Sequence, residues 1–301
     1  MNDSTITERR SGSWGFDSEP LPPYLGRPSR AALAPWVVPP IDGTYVPDTV
    51  IDATRTGRIE LRAVSARGGA HRCEGSVRQD AFALSRSRNG RWLVAAVCDG
   101  VGSARLSDIG ARVAANRAVW ELTESLSKTD KDLRQQLSNA VQRTTTALRA
   151  EAMNRRNCEL ADLATTITVL AIDSTAEAGS HRYVVGGVGD SPVLKLGVGG
   201  ALRPLAPKVA AEVHSSATAA LPWQADSCSH YAGELAVGEV LLIATDGFAT
   251  LATQDEPARY FGEHWRAPVA PATFAADVEF VAKSYDDDRT VVAVWATAGQ
   301  S

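Results

Sequence analysis

Apolar, strand-like runs of this chain repeatedly stop or start on an aspartate, and that pattern narrows the folds open to it. Leu93-Val-Ala-Ala-Val-Cys98 runs straight into Asp99-Gly100, and Val240-Leu-Leu-Ile-Ala-Thr245 into Asp246-Gly247. Tyr183–Gly189 runs into Asp190, Asp286-Asp287-Asp288 precedes the final run, and Gln79-Asp80 precedes Ala81-Phe82. For any single site, tight-turn chemistry is a sufficient account. For five it weakens, because turns accept Asn, Ser and Pro just as readily. Carboxylates gathered at one end of a sheet repel one another and call for cations.

The rest of the pattern sets the class. Further strand signals fall at Ile59–Val64, Ala81–Leu84, Thr166–Ile172, Val193–Leu196 and Thr290–Trp295. One helix is predicted from Ser107 as N-cap, through Ile109, Val113, Val119 and Leu122. A second follows Thr129, with Leu133, Leu137, Val141 and Leu148 on one face, and a third spans Pro271–Ser284. Strands cluster and helices are inserted between them, which favours an α+β fold with largely antiparallel sheets. The stretch from Arg203 to His230 reads as a long insertion loop.

Residues 1–56 form a Pro-rich N-terminal extension, with eight of the 15 prolines, and 57–299 the folded domain. Proline removes ladder donors and fixes φ, so the extension is expected to hold neither helix nor central strand. It also carries Trp14, Phe16, Tyr24, Trp36 and Tyr45. Those aromatics fit either an arm packed along the domain or a tail awaiting a partner.

With 44% hydrophobic residues and no apolar run longer than Trp92–Cys98, the chain is neither disordered nor membrane-spanning. Its 31 basic and 35 acidic residues leave a net charge of −4, which offers nothing to nucleic acid or anionic lipid. The N-terminus has no apolar segment of a secretory signal, and the four cysteines make no CxxC pair. A cytoplasmic, reducing setting is expected.

Oxygen-only ligands select hard cations, Mg²⁺ or Mn²⁺. Two such ions roughly 3.5–4 Å apart acidify a water and clamp both oxygens of an in-line phosphoryl displacement. The residues alone therefore reach a divalent-metal phosphoryl-transfer site without naming its substrate.

Taken in order, Gln79-Asp80-Ala81-Phe82, VCDGVGS (Val97–Ser103), Gly110-Ala111, Asp162-Leu-Ala-Thr-Thr166, VGDS (Val188–Ser191), ATDGF (Ala244–Phe248) and DDRTVV (Asp287–Val292) resemble the type-2C metal-dependent Ser/Thr protein phosphatases. The resemblance spans about residues 60–297 and implies a four-layer α-β-β-α sandwich, two antiparallel sheets flanked by helices. It implies two Mn²⁺ or Mg²⁺ ions bridged by Asp99, the Gly100 carbonyl on the second, Asp246 and Asp287 completing the first, and Asp80 holding the second. Asp162 stands where bacterial members place a ligand for a third ion. The implied reaction is direct attack of a metal-bridging hydroxide on a phosphoprotein, opposite a Ser/Thr kinase or on its targets.

Two departures matter. The family's phosphate-binding arginine is replaced by Gly75, which leaves His71 or Arg78 as the expected phosphate contact, with Arg72 nearby. Val101 stands where eukaryotic members place a general-acid histidine, so the leaving group takes its proton elsewhere. The alternative function is a weak or inactive adaptor with the same fold.

Overall fold

A computed structural model of the chain describes residues 21–40, 45–176, 179–197, 200–205 and 219–298. Its strands are β1 (Thr49–Thr56), β2 (Ile59–Ala66), β3 (Ala81–Arg86), β4 (Trp92–Cys98), β5 (Ile167–Asp173), β6 (Ser180–Val188), β7 (Val193–Leu196), β8 (Arg203–Pro204), β9 (Ser229–Ala236), β10 (Val240–Ala244) and β11 (Arg289–Ala296). The helices are α1 (Arg30–Leu33), α2 (Gly69–Glu74), α3 (Ser107–Leu126), α4 (Leu133–Asn154), α5 (Asp246–Ala252), α6 (Asp255–His264) and α7 (Pro271–Val278). One sheet runs β1-β2-β11-β10-β7-β8 and the other β3-β4-β5-β6-β9. All their pairings are antiparallel.

Strand alternation builds the layers. Along β4, Trp92, Val94, Ala96 and Cys98 face α3 and α4, while Leu93, Ala95 and Val97 face the other sheet. Along β11, Val291, Ala293 and Trp295 face the α5–α7 layer, while Val292 and Val294 meet the opposing sheet. The expected four-layer α-β-β-α sandwich is the observed one. In the outer layer Phe248, Phe261, Trp265, Phe274 and Phe280 pack together, with ring centroids 4.7–6.3 Å apart.

Several boundaries differ from the sequence reading. The first sheet begins at Thr49, inside the stretch read as extension, because β-branched Thr49, Val50 and Ile51 pair in register with Ala66, Ser65 and Val64. This strand lies at the sheet edge, which the proline argument allowed. However, α1 is a helix inside the same extension and corrects the expectation of none: Arg30–Leu33 contains no proline, and Ser29 caps its first turn by accepting the Ala32 amide. Leu106, rather than Ser107, holds the N-cap position of α3. The third predicted helix stops at Val278 instead of Ser284. Arg289 donates to the carbonyls of Val278, Phe280 and Tyr285, which replaces further helical bonding.

The far end of the predicted insertion contributes β9, paired with β6, and His230 sits on that strand. His214 lies outside the described residues, as do Trp14 and Phe16. Residues 21–40 run along the domain as the first of the two readings of the arm expects, although Tyr24 and Trp36 stay more than half exposed. Leu25 N donates to Val281 O at 3.0 Å, Val37 N donates to Arg72 O at 2.8 Å, and Trp36 stacks on the Arg72 guanidinium at 3.9 Å. Among the described residues, no helix is long and apolar enough to cross a membrane.

Candidate active site

Antiparallel register explains why acids far apart in sequence meet. Ala81 at the start of β3 pairs with Cys98 at the end of β4, and Ala244 at the end of β10 pairs with Val291 near the start of β11. Asp80, Asp99, Asp246 and Asp287 therefore emerge at one end of the sandwich, two from each sheet. The seam between the sheets is bonded there, since Thr245 Oγ1 donates to Asp80 Oδ2 at 2.8 Å. Thr245 Oγ1 in turn accepts the Thr290 amide at 2.9 Å, and Ser65 Oγ meets Thr290 Oγ1 at 2.6 Å.

The electrostatics follow from this crowding. Asp99 is pushed up to about 10 by burial, by the charges of Asp80, Asp246 and Asp287, and by a hydrogen bond with Asp246. Asp80, 4% exposed, is raised well above the carboxylate range by burial and by Asp288 and Asp287, against the opposing bonds from Thr245 and Thr290. Burial, then Asp288 and Asp246, raises Asp287. Three carboxyls with raised proton affinity, Asp80, Asp99 and Asp287, beside a fourth at Asp246, form a site suited to divalent cations, and the all-oxygen donor set fits Mg²⁺ or Mn²⁺.

Backbone packing fixes the Asp99–Gly100 turn. Asp99 O accepts the Thr166 amide and the Thr165 hydroxyl, each at 2.8 Å, and Val101 N donates to Ala164 O at 3.0 Å. The Gly100 peptide is pinned between those contacts. A Cβ on Gly100 would stand 2.7 Å from Gln79 O, and one on Gly68 would stand 2.2 Å from the Asp287 carbonyl carbon. At both positions only glycine permits so close an approach.

The remaining expected site residues divide. His71 joins the cluster: its Nδ1 lies 2.9 Å from Asp288 Oδ1. That bond, opposed by burial and reinforced by the charges of Asp288 and Asp287, raises the imidazole above its ordinary value. Arg78 does not join. It is 7% exposed, and its guanidinium donates to the carbonyls of Asp80 at 3.0 Å, Pro47 at 3.0 Å, Asp48 at 3.3 Å and Ser65 at 3.0 Å. Arg78 is thus a buried staple, which corrects its reading as a phosphate contact.

Arg72 is committed as well, to Asp48, Glu279 and the Trp36 face. Asp162 sits in a 3-10 turn, where its Oδ2 accepts Arg105 Nη2 at 2.8 Å and the Glu159 amide at 3.0 Å. It is not among the charges that raise Asp99. Gly75 caps α2 with φ 73°, a left-handed position where an arginine would be strained.

One residue of the acid cluster was not read from the sequence. Asp288, 3% exposed, accepts Gly68 N at 2.7 Å and His71 Nδ1 on one oxygen, and Gln79 N at 2.6 Å on the other. His71, Asp287 and Asp288 each offer a ligand atom within 4.8 Å of the others. With both its oxygens engaged, Asp288 acts as the anchor of that group. The signal for it was the second acid of the DDRT run, which the sequence offered without saying which acid faces inward.

The protein phosphatase 2C sequence profile matches residues 67–279, well over half of the 301 residues. The chain belongs to the protein phosphatase 2C family. It resembles the catalytic domain of the serine/threonine phosphatase PstP solved with two manganese ions, at 20% identity and TM-score 0.55, over 79% of this chain and 98% of that one. PppA of Pseudomonas aeruginosa, a regulatory component of a type VI secretion system, aligns at 17% identity and TM-score 0.54 over 80% and 99%. RsbX in complex with magnesium aligns at 16% identity and TM-score 0.51 over 81% and 98%. These likenesses concern the fold. Among curated proteins, sequence comparison finds no match.

Proposed function

We propose that this chain is a metal-dependent phosphoprotein phosphatase that hydrolyses phospho-Ser or phospho-Thr, acting opposite a Ser/Thr kinase in bacterial signalling. The observation that carries the reading is the convergence of Asp80, Asp99, Asp246 and Asp287 on one seam, in a chain of this family. Family and fold alone would leave an adaptor open. An adaptor has no use for an acid cluster in which Asp80 is buried and Asp80, Asp99 and Asp287 are each raised by neighbouring acids.

Asp99, Asp246 and Asp287 would hold one Mn²⁺ or Mg²⁺, and Asp99, Asp80 and the Gly100 carbonyl a second. When bound, the ion pair supplies an activated water and neutralises phosphate charge. The residues of the chain do the positioning. Thr245 and Thr290 fix the Asp80 carboxyl, and the Asp99 backbone is clamped by Thr165 and Thr166. Asp288 orients the His71 ring by holding its Nδ1, which leaves Nε2 to donate to a substrate phosphate. Val101 supplies no proton, so the leaving alkoxide is protonated from solvent.

The test is hydrolysis of an aryl phosphate and of a phosphothreonine peptide with Mn²⁺, Mg²⁺ or EDTA, beside Asp246→Asn. Metal-dependent turnover on the peptide, lost in the variant, is the expected result. Absence of turnover with every metal, in folded protein, would transfer the chain to the adaptor reading.

A further inference from the structure

The arm reaches the metal-binding loop at one point. Ser29 Oγ donates to Asp286 Oδ1 at 2.6 Å, in the residue next to the ligand Asp287, and Ser29 is 9% exposed. The same oxygen accepts the Ala32 amide at 2.9 Å and so caps α1. Asp286 is gripped from its other side by α2, because Ala70 N donates to Asp286 O at 3.0 Å. The three segments are in close contact: a Cβ on Gly69 would stand 3.0 Å from Asp286 Oδ1 and 3.6 Å from Ala32 N.

On either side of Ser29 the arm is tied to the domain. Upstream, Val281 N donates to Pro23 O at 2.8 Å and Leu25 N donates to Val281 O at 3.0 Å. Downstream, Val37 N takes the Arg72 carbonyl at the end of α2, and Trp36 covers the Arg72 guanidinium. Arg72 also bonds Glu279 at 3.3 Å, next to the last residue of α7. The span from Pro23 to Val37 thus fastens α2, which carries His71, and the 286–288 loop, which carries Asp287 and Asp288.

We infer that this segment is a positioning strap for the active site, with Ser29 the residue through which it sets the Asp286–Asp288 loop. The inference rests on the metal site proposed above. The strap touches none of the four acids of the seam, so its effect passes through Asp286 to the neighbouring ligand. Partners that orient metal ligands from outside commonly change metal affinity by 10- to 100-fold when removed. Ser29 acts one bond further out, and its loss is expected to weaken Mn²⁺ binding by roughly tenfold.

The full-length protein, Ser29→Ala and Ser29→Thr are titrated with Mn²⁺ by calorimetry, and the His71 ring resonances are recorded without metal. Ser29→Ala is expected to bind Mn²⁺ about tenfold more weakly and to shift the His71 signals, with Ser29→Thr restoring both. Mn²⁺ affinity and His71 signals that stay at wild-type values in Ser29→Ala, with only a lower melting temperature, would reduce the arm to a stabilising strap and overturn the inference. A wild-type protein that binds Mn²⁺ yet hydrolyses no phosphoester would refute the phosphatase reading alone, since neither readout depends on turnover.

Discussion

His71 Nδ1 and the Gly68 amide meet the same oxygen, Oδ1 of Asp288, at 2.9 and 2.7 Å. A buried carboxylate at the start of β11 therefore holds both the entry to α2 and the imidazole that α2 presents. The ring is oriented by the segment leading into that strand, which also carries the neighbouring Asp287.

If that ring contacts the substrate phosphate, His71→Ala raises KM for a phosphothreonine peptide by about tenfold, the loss of one charge-assisted hydrogen bond of about 1.4 kcal/mol. It leaves kcat within about twofold, because the acids of the seam are untouched. Steady-state kinetics at saturating Mn²⁺ read both constants. A wild-type KM would remove His71 from the phosphate site.

Asp99→Asn abolishes turnover and, in metal-free protein, raises stability. The carboxyl is forced up to about 10 by burial and by its acidic neighbours, so an amide relieves an unfavourable environment. The gain is of order 1 kcal/mol, or a few degrees in a melt recorded in EDTA. Excess Mn²⁺ should reverse the order, stabilising the wild type more than the variant.

Arg78→Ala is a stability mutation. Four carbonyls, two of them buried, lose their donor, and the cost is roughly 3 kcal/mol, read as a lower denaturation midpoint with little change in m. KM of the remaining folded enzyme stays near wild type. A raised KM at unchanged stability would return Arg78 to the phosphate.

Asp173 sets a pH dependence away from the site. Burial alone would raise it, but the Thr175 amide and hydroxyl, then Arg91 at 2.8 Å, outweigh that and hold the carboxyl below its usual range. A group depressed in the folded state stabilises above its unfolded pKa of about 3.9, and that stabilisation is lost as pH falls through the folded value. Asp173→Asn should cost about 1 kcal/mol at pH 7, and its stability curve should converge with wild type as the pH drops below about 4. Parallel urea curves across this range would contradict the assignment.

The sheets were readable because alternation and β-branched runs mark strands locally, and antiparallel register then brings strand ends together. The four acids were readable for the same reason. What escaped depends on distant partners. Nothing in Glu279–Ser284 announces the end of α7, which is imposed by Arg289 reaching back to Val278 and Phe280. Arg78 and Asp80 are two apart and suggest a shared face, yet Arg78 precedes β3 and turns to carbonyls of Pro47 and Ser65. In Asp286-Asp287-Asp288 the spacing is too short for sequence to rank the three, although one meets the arm, one the acid cluster and one the α2 imidazole.

Because Asp80 and Asp99 come from one sheet and Asp246 and Asp287 from the other, a cation seated among them is also a rivet through the sandwich. At a free concentration a hundred times its dissociation constant, such an ion adds about 2.7 kcal/mol to the folded state. Chelation would then loosen the halves as well as stop the reaction. In a cell short of manganese and magnesium, the protein would be exposed to proteases at the same moment that it fell silent.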